Sequence, residues 1–135
     1  MEIDITHLLQ TEGFDTWNLS NSRANLGQDA GRITWRNSCE VGKRFALTPE
    51  QTGAFKDFVE DSGGWTKEEI AAWSQEELQA LFVQWVAGDI QECFGYDAGE
   101  DFSEWDWAQY EEDSQAGRIP SNLFQTDGKL YFSLY

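Results

Sequence analysis

The sequence predicts a mainly α-helical (α+β) fold, a compact bundle of about five to six helices followed by a C-terminal β-hairpin. Three observations predict it. Explicit helix-capping motifs occur in the middle of the chain, and apolar residues recur at helical spacing before Gly95. An Asp-Gly pair near the end separates two segments with strand-like patterns. The 135 residues, 40% hydrophobic, are enough for one domain, residues 1–135, with its own core.

Residues 1–47 form a near-neutral segment with two predicted helices. The first helix has Asp4 as its cap and ends at Gly13. The second begins at Asp29, continues to about Cys39 and ends by Gly42. Residues 15–29 between them are polar and rich in turn-forming residues. Residues 41–47 remain ambiguous, since they also suit a short strand.

The next segment, residues 48–117, contains the clearest helix starts. Thr48, Pro49 and Gln51 stand in the order of a cap, a first-position proline and a capping-box glutamine. This helix is expected to stop at Gly63-Gly64. Two further capping boxes with hydrophobic staples then follow eight residues apart, in 65–70 and 73–78.

The second of these boxes opens the longest predicted helix, residues 75–94, whose apolar stripe should form the centre of the core. Asp89 is the one polar residue on that stripe. A last helix is expected over about 104–115, with Ser103 as a weaker cap. Residues 118–135 predict a β-hairpin, in which 122–125 and 129–135 flank Thr126-Asp127-Gly128.

The net charge of −16 is distributed very unevenly. Residues 1–47 have a net charge of −1, residues 48–117 of −16 and residues 118–135 of +1. The middle segment holds 18 acidic residues and only Lys56 and Lys67 as bases. This charge disfavours direct binding to nucleic acid or to an anionic membrane, and it favours a basic protein surface as partner.

The residues that usually carry catalysis are scarce, and no enzyme is predicted. His7 is the only histidine and has no paired nucleophile. Neither Cys39 nor Cys93 has a nearby histidine or basic cluster, and both are expected to be reduced, buried thiols. No zinc or phosphate-binding motif occurs. Paired carboxylates are too frequent in the acidic segment to indicate glycoside hydrolysis. Neither a catalytic site nor a cofactor is therefore expected.

One loop contains residue types that can bind calcium through oxygen atoms. A loop that begins at Asp97 offers oxygen ligands at alternate positions. An EF-hand loop requires glycine at its sixth position and glutamate at its twelfth. Phe102 and Ala108 stand at these positions, so no metal site is predicted.

Several acidic residues have a structural explanation as caps or as first-turn residues that favour the helix dipole. Eight acids for which capping does not account are the predicted partner-binding residues: Asp57, Glu60, Asp61, Glu100, Asp101, Glu111, Glu112 and Asp113. Trp105 joins them, because two tryptophans two positions apart on one helix cannot both face one core, which leaves one for an interface. The alternative is that Trp105 and Trp107 both pack internally.

Small acidic domains of this kind are similar to inhibitors carried by phages and other mobile elements, including anti-CRISPR and anti-restriction proteins that mimic DNA. Residues 22–37, SRANLGQDAGRITWRN, look like a stretch in uncharacterised phage and plasmid proteins. The stretch covers 16 of the 135 residues. The resemblance implies a mobile-element setting and carries no mechanism.

The predicted function is that of a non-enzymatic inhibitor, whose acidic helices mimic nucleic acid and block a host DNA- or RNA-binding defence protein. The alternative is an immunity- or antitoxin-type protein that neutralises a basic partner. A plain acidic domain without a special role for its charge also stays open, as does the oligomeric state. Because the N-terminal residues do not resemble a secretory leader, a cytoplasmic location is expected.

Overall fold

Seven α-helices and a three-stranded antiparallel sheet are present in the computed structural model, which describes residues 1–20 and 30–134. This arrangement confirms the predicted α+β class. The helices are α1 (Thr6–Leu9), α2 (Thr16–Leu19), α3 (Ala30–Gly42), α4 (Pro49–Asp61), α5 (Lys67–Ala71), α6 (Gln75–Phe94) and α7 (Trp107–Gln115). The strands are β1 (Glu2–Asp4), β2 (Leu123–Thr126) and β3 (Lys129–Ser133). Within the described part of the chain, no helix combines the length and the apolar character that crossing a membrane requires.

The three capping boxes predicted from the sequence are all confirmed. At the start of α4, the backbone N–H of Gln51 donates to Thr48 Oγ1 at 3.1 Å, and the backbone N–H of Thr48 donates to Gln51 Oε1 at 3.0 Å. The same reciprocal pairs begin α5 and α6, where they join Thr66 with Glu69 and Ser74 with Glu77. Local sequence therefore determines where the acidic helices begin.

The predicted start of the last helix is wrong. Residues 102–104 form a separate 3-10 turn, and α7 begins only at Trp107. Asp106 caps it, since its carboxylate accepts a hydrogen bond from the backbone N–H of Gln109 at 3.1 Å. An aspartate is at least as good a cap as the serine at position 103, and it shifts the helix start by three residues.

The N-terminal prediction needs a similar correction. Asp4 lies in β1, and Ile5 occupies the N-cap position of the single-turn helix α1. The Asp4 carboxylate nevertheless accepts a hydrogen bond from the backbone N–H of Thr6, the first residue of α1, at 2.9 Å. The predicted start of the second helix at Asp29 lies outside the described residues. The alternative of a strand over 41–47 is wrong, because α3 continues to Gly42 and turns and loop follow.

The C-terminal hairpin forms as predicted. Asp127 and Gly128 have φ angles of 53° and 74°, which is the pair of left-handed residues that a two-residue type I′ turn requires. Strand β3 lies in the centre, because β1 pairs with its other edge and places Ile3 opposite Phe132. The sequence analysis missed β1, whose three residues form a strand only through a partner about 130 positions away.

Helix α6 is the centre of the core. Leu78, Phe82, Val86 and Ile90 are almost completely buried along one face. Phe132 of β3 meets Phe82 edge-to-face with ring centroids 5.7 Å apart, which joins the sheet to the helices. The predicted apolar stripe of α6 is thereby confirmed.

Helix α3 packs more extensively against α6 than does any other helix among the described residues, and the two backbones approach closely at Gly42. A Cβ atom at this position would lie 2.8 Å from the backbone nitrogen of Ala80 and 3.0 Å from its Cα. Gln79 stabilises the same crossing, because its Nε2 donates to the carbonyl of Gly42 at 2.8 Å. Its Oε1 accepts from the backbone N–H of Leu47 at 3.1 Å.

We expect Gly42→Ala to lower the free energy of unfolding by about 1–3 kcal/mol, because the added methyl group meets backbone that cannot rotate away. Urea denaturation measures this change. Gly53→Ala in α4 is the matched control, since a Cβ there meets nothing within 4 Å. That control should gain about 0.5–1 kcal/mol from helix propensity. An equal gain in both variants would contradict the close approach.

Asp89 lies on the buried face of α6, as its position on the apolar stripe predicted. Its side chain is only 8% exposed, and no hydrogen-bond partner reaches its Oδ2 atom. Burial, with a smaller contribution from the charge of Glu92, raises the pKa of Asp89 to about 7. Between roughly pH 4 and pH 7 the folded chain therefore holds a proton that the unfolded chain has released.

The free energy of unfolding should consequently fall as the pH rises from 4 to 7, by at most about 1.4 kcal/mol per pH unit from Asp89. Asp89→Asn removes this titration. We expect the variant to match the parent near pH 4 and to become the more stable of the two by pH 8, as measured by urea denaturation across this range. Asp57→Asn, at an exposed position, is the control. Parallel pH profiles for the parent and Asp89→Asn would contradict the assignment.

Candidate protein-binding surface

The carboxylates of the acidic segment are almost all at the surface. Sixteen of the 18 acidic residues between positions 48 and 117 are exposed, Asp113 is half-buried and Asp89 is buried. Within the described residues, the pair between Arg118 and Asp113 is the only ion pair that these carboxylates make. Lys56 and Lys67 form none there. Apart from Asp113 and the buried Asp89, this negative charge therefore faces solvent without an ion pair from the described part of the chain.

The first group of predicted site residues, Asp57, Glu60 and Asp61, is termed the α4 cluster. Phe55 and Val59 are completely buried on the core side of the same helix, which leaves the three carboxylates exposed. The spacing of three and four residues places all three on neighbouring turns of one helix face. The structure thus brings this predicted group together.

The position of the α4 cluster is unfavourable for stability. Glu60 and Asp61 occupy the last turn of α4, where no basic residue is present. The carboxyl end of a helix carries a partial negative charge, so each acid there costs about 0.3–1 kcal/mol when exposed. Repulsion from Asp57 adds to this cost. Helix stability therefore does not explain why these residues are acidic.

The second group, Glu111, Glu112 and Asp113, is termed the α7 cluster. Glu111 and Glu112 are exposed, and α7 also lacks a basic residue in its last turn. Asp113 differs, because its Oδ1 atom accepts hydrogen bonds from Gln109 Nε2 at 3.0 Å and from Arg118 Nη1 at 3.2 Å. Asp113 was grouped with acids that have no structural role, and these two hydrogen bonds correct that expectation.

The third predicted group is the pair Glu100 and Asp101, which precedes the 3-10 turn. The carboxylate of Asp101 caps this turn by accepting from the backbone N–H and the hydroxyl of Ser103. Contrary to the prediction, capping therefore does account for Asp101. Glu100 is exposed, and its side chain makes no hydrogen bond or ion pair within the described residues.

The expectation that one of the two neighbouring tryptophans is exposed is wrong. Trp105 is only 8% exposed, and its Nε1 donates to the carbonyl of Ala98 at 2.8 Å. Trp107 is half-buried, and its Nε1 donates to the carbonyl of Phe102 at 2.7 Å. Both rings pack on Phe94. The two face one cluster because Trp105 precedes α7 rather than belonging to it.

His7, Cys39 and Cys93 are the side chains that were considered for catalysis. His7 is exposed on the single-turn helix α1. Cys39 and Cys93 are free, half-buried thiols, and burial raises the pKa of both, that of Cys93 to about 12. A thiol with a raised pKa is a poor nucleophile at neutral pH. Among the described residues, no cluster of three or more histidine, cysteine or carboxylate side chains could hold a metal ion.

Asp97 is a candidate site residue that sequence reasoning did not single out outside the calcium motif. Asp97 lies with Glu100 at a cavity that α2 and Trp105 also line. The cavity is lined by segments about 80 residues apart in the chain, so no local sequence pattern predicts it. The glycines at 95 and 99, both with positive φ, are the one local signal of a tightly turned loop.

Comparisons with family models, with curated protein sequences and with solved structures gave no match.

We expect the double variant Glu60→Gln, Asp61→Asn to be more stable than the parent by about 0.5–1 kcal/mol, because it removes charges that oppose the dipole of α4. Thermal and urea denaturation at low ionic strength measure the change. Glu50→Gln, Glu76→Gln is the matched control with an equal charge change, and it should lose stability because both residues lie in first turns. The same sign in both variants would mean that overall charge dominates.

Proposed function

We propose that this chain is a non-enzymatic inhibitor that binds the basic, nucleic-acid-binding surface of another protein. The observation that carries the proposal is that the exposed carboxylates of Glu60, Asp61 and Glu112, which form no ion pair within the described residues, lie in the C-terminal turns of α4 and α7. These positions lower the stability of the helices. Binding surfaces often retain residues that reduce stability, because function selects them.

Nucleic-acid mimicry explains this use of charge in physical terms. Duplex DNA carries about one negative charge per 1.7 Å of its axis, and proteins that bind it present clustered lysine and arginine residues. Carboxylates held on rigid helices can occupy such a surface and displace its counterions. The net charge of −16 also accelerates the approach to a basic partner by electrostatic steering.

The alternative is an immunity- or antitoxin-type protein that neutralises a basic partner without mimicking nucleic acid. One observation favours it. Asp101 and Asp113 have structural hydrogen bonds, which reduces the number of free carboxylates in two of the three groups. Simple charge complementarity requires only a patch of negative charge, whereas mimicry requires a long row of carboxylates.

The experiment is capture of basic proteins from a host lysate on the immobilised chain, followed by elution with a 20-base-pair DNA duplex or with salt. We expect the duplex to elute a nucleic-acid-binding protein at an ionic strength that does not elute it alone. Elution by salt with resistance to the duplex would favour the alternative, and no capture at low salt would contradict both.

A pair of matched triple variants separates specific binding from bulk charge. Asp57→Asn, Glu60→Gln, Asp61→Asn neutralises the α4 cluster, and we expect it to weaken binding of the captured protein about tenfold or more. Glu50→Gln, Glu68→Gln, Glu76→Gln changes the net charge equally at exposed first-turn positions and should weaken binding much less. Equal losses in the two variants would show that the α4 cluster is not the contact surface.

A further inference from the structure

A cavity of about 320 Å³ opens between α2 and the loop that joins α6 to the 3-10 turn. Its size lies at the lower end of small-ligand sites, which suits one side chain rather than a large cofactor. Apolar and aromatic side chains line much of it, and three carboxylates stand among them. The lining includes Leu9, Ile90, Phe14, Tyr96 and Trp105, together with Asp15, Asp97 and Glu100.

The walls of the cavity are fixed by contacts from both sides. Thr16 of α2 donates its hydroxyl to the carbonyl of Tyr96 at 2.8 Å, and Trp105 Nε1 donates to the carbonyl of Ala98 at 2.8 Å. The loop that carries Asp97 and Glu100 is therefore held at two carbonyls. The ring of Tyr96 packs edge-to-face on Trp17 at 4.9 Å between centroids. A site fixed in this way loses little entropy when a ligand enters.

Every charged residue that lines the cavity is acidic. No lysine or arginine is among its lining residues. The carboxylate of Asp15 already accepts hydrogen bonds from the backbone N–H of Trp17 and from Asn18 Nδ2, at 2.7 and 3.3 Å. Asp97 and Glu100 are exposed, and within the described residues their carboxylates have no partner. These two side chains are therefore available to a ligand.

We propose that this cavity binds the guanidinium group of an arginine side chain, presented by the partner protein. Guanidinium is planar and weakly hydrated, so it stacks on aromatic rings while its N–H groups donate to carboxylates. The aliphatic stem of the arginine suits contact with Leu9 and Ile90. That the arginine comes from a partner protein rests on the proposed function. That the cavity binds a guanidinium group rests only on its lining residues.

The test is an NMR titration of the ¹⁵N-labelled chain with N-acetyl-arginine amide. We expect concentration-dependent shifts of the Trp105 indole N–H and of the backbone amides of residues 96–100. N-acetyl-citrulline amide, which has nearly the same shape without the charge, should cause shifts about tenfold smaller at equal concentration. N-acetyl-lysine amide should bind more weakly than the arginine probe. Equal shifts from the citrulline probe, or tighter binding of the lysine probe, would overturn the proposal.

Two double variants with the same change in net charge provide the control. Asp97→Asn, Glu100→Gln should weaken binding of the arginine probe about tenfold. Glu68→Gln, Glu76→Gln, which alters exposed first-turn positions outside this cavity, should leave the affinity within about twofold. Equal weakening by both variants, or shifts spread over α4 and α7, would mean that the probe senses only the overall charge.

The result separates this proposal from the proposed function. If the probe binds at the cavity and no basic protein is captured, the arginine site stands and the inhibitor proposal fails. If a basic protein is captured but the probe does not bind, the cavity proposal fails alone. If both hold, Asp97→Asn, Glu100→Gln should also weaken binding to the captured protein; an unchanged affinity would exclude the cavity from that interface.

Discussion

The crossing of α3 over α6 at Gly42 is the contact on which the rest of the structure depends. Without a side chain at Gly42, the two helix backbones come close enough for Gln79 to bond the end of α3 and the following segment at Leu47. That segment leads directly into the capping box of α4. The sheet then packs on the same central helix through Phe132. The close approach thereby ties the end of α3 and the segment that leads into α4 to the same central helix on which the sheet packs.

Part of the acidic surface lowers the stability of the fold. First-turn acids of α4, α5 and α6 stabilise their helices, whereas Glu60 and Asp61 lie where the helix dipole opposes them. A buried core of apolar and aromatic side chains supplies the stability that these residues reduce. The carboxylates therefore divide into a set that stabilises helix starts and a set, which includes Glu60 and Asp61, whose positions helix stability does not explain.

The candidate site was partly predictable from sequence. The α4 cluster could be found because helical periodicity separates its carboxylates from Phe55 and Val59. The role of Asp113 could not, since its partner Arg118 lies beyond the end of α7 and reaches it only after the chain turns. Trp105 was misjudged for a related reason. Its burial depends on where α7 begins and on a carbonyl of the loop that precedes it.

Sequence alone determined the α+β class, the three capping boxes, the type I′ hairpin and the segregation of charge, because each depends on residues near one another in the chain. Tertiary structure decided the rest. It added β1 to the sheet, left Oδ2 of the buried Asp89 without a hydrogen-bond partner among the described residues, and formed the cavity between α2 and the loop after α6. These features require contacts between segments far apart in sequence, which no local pattern encodes.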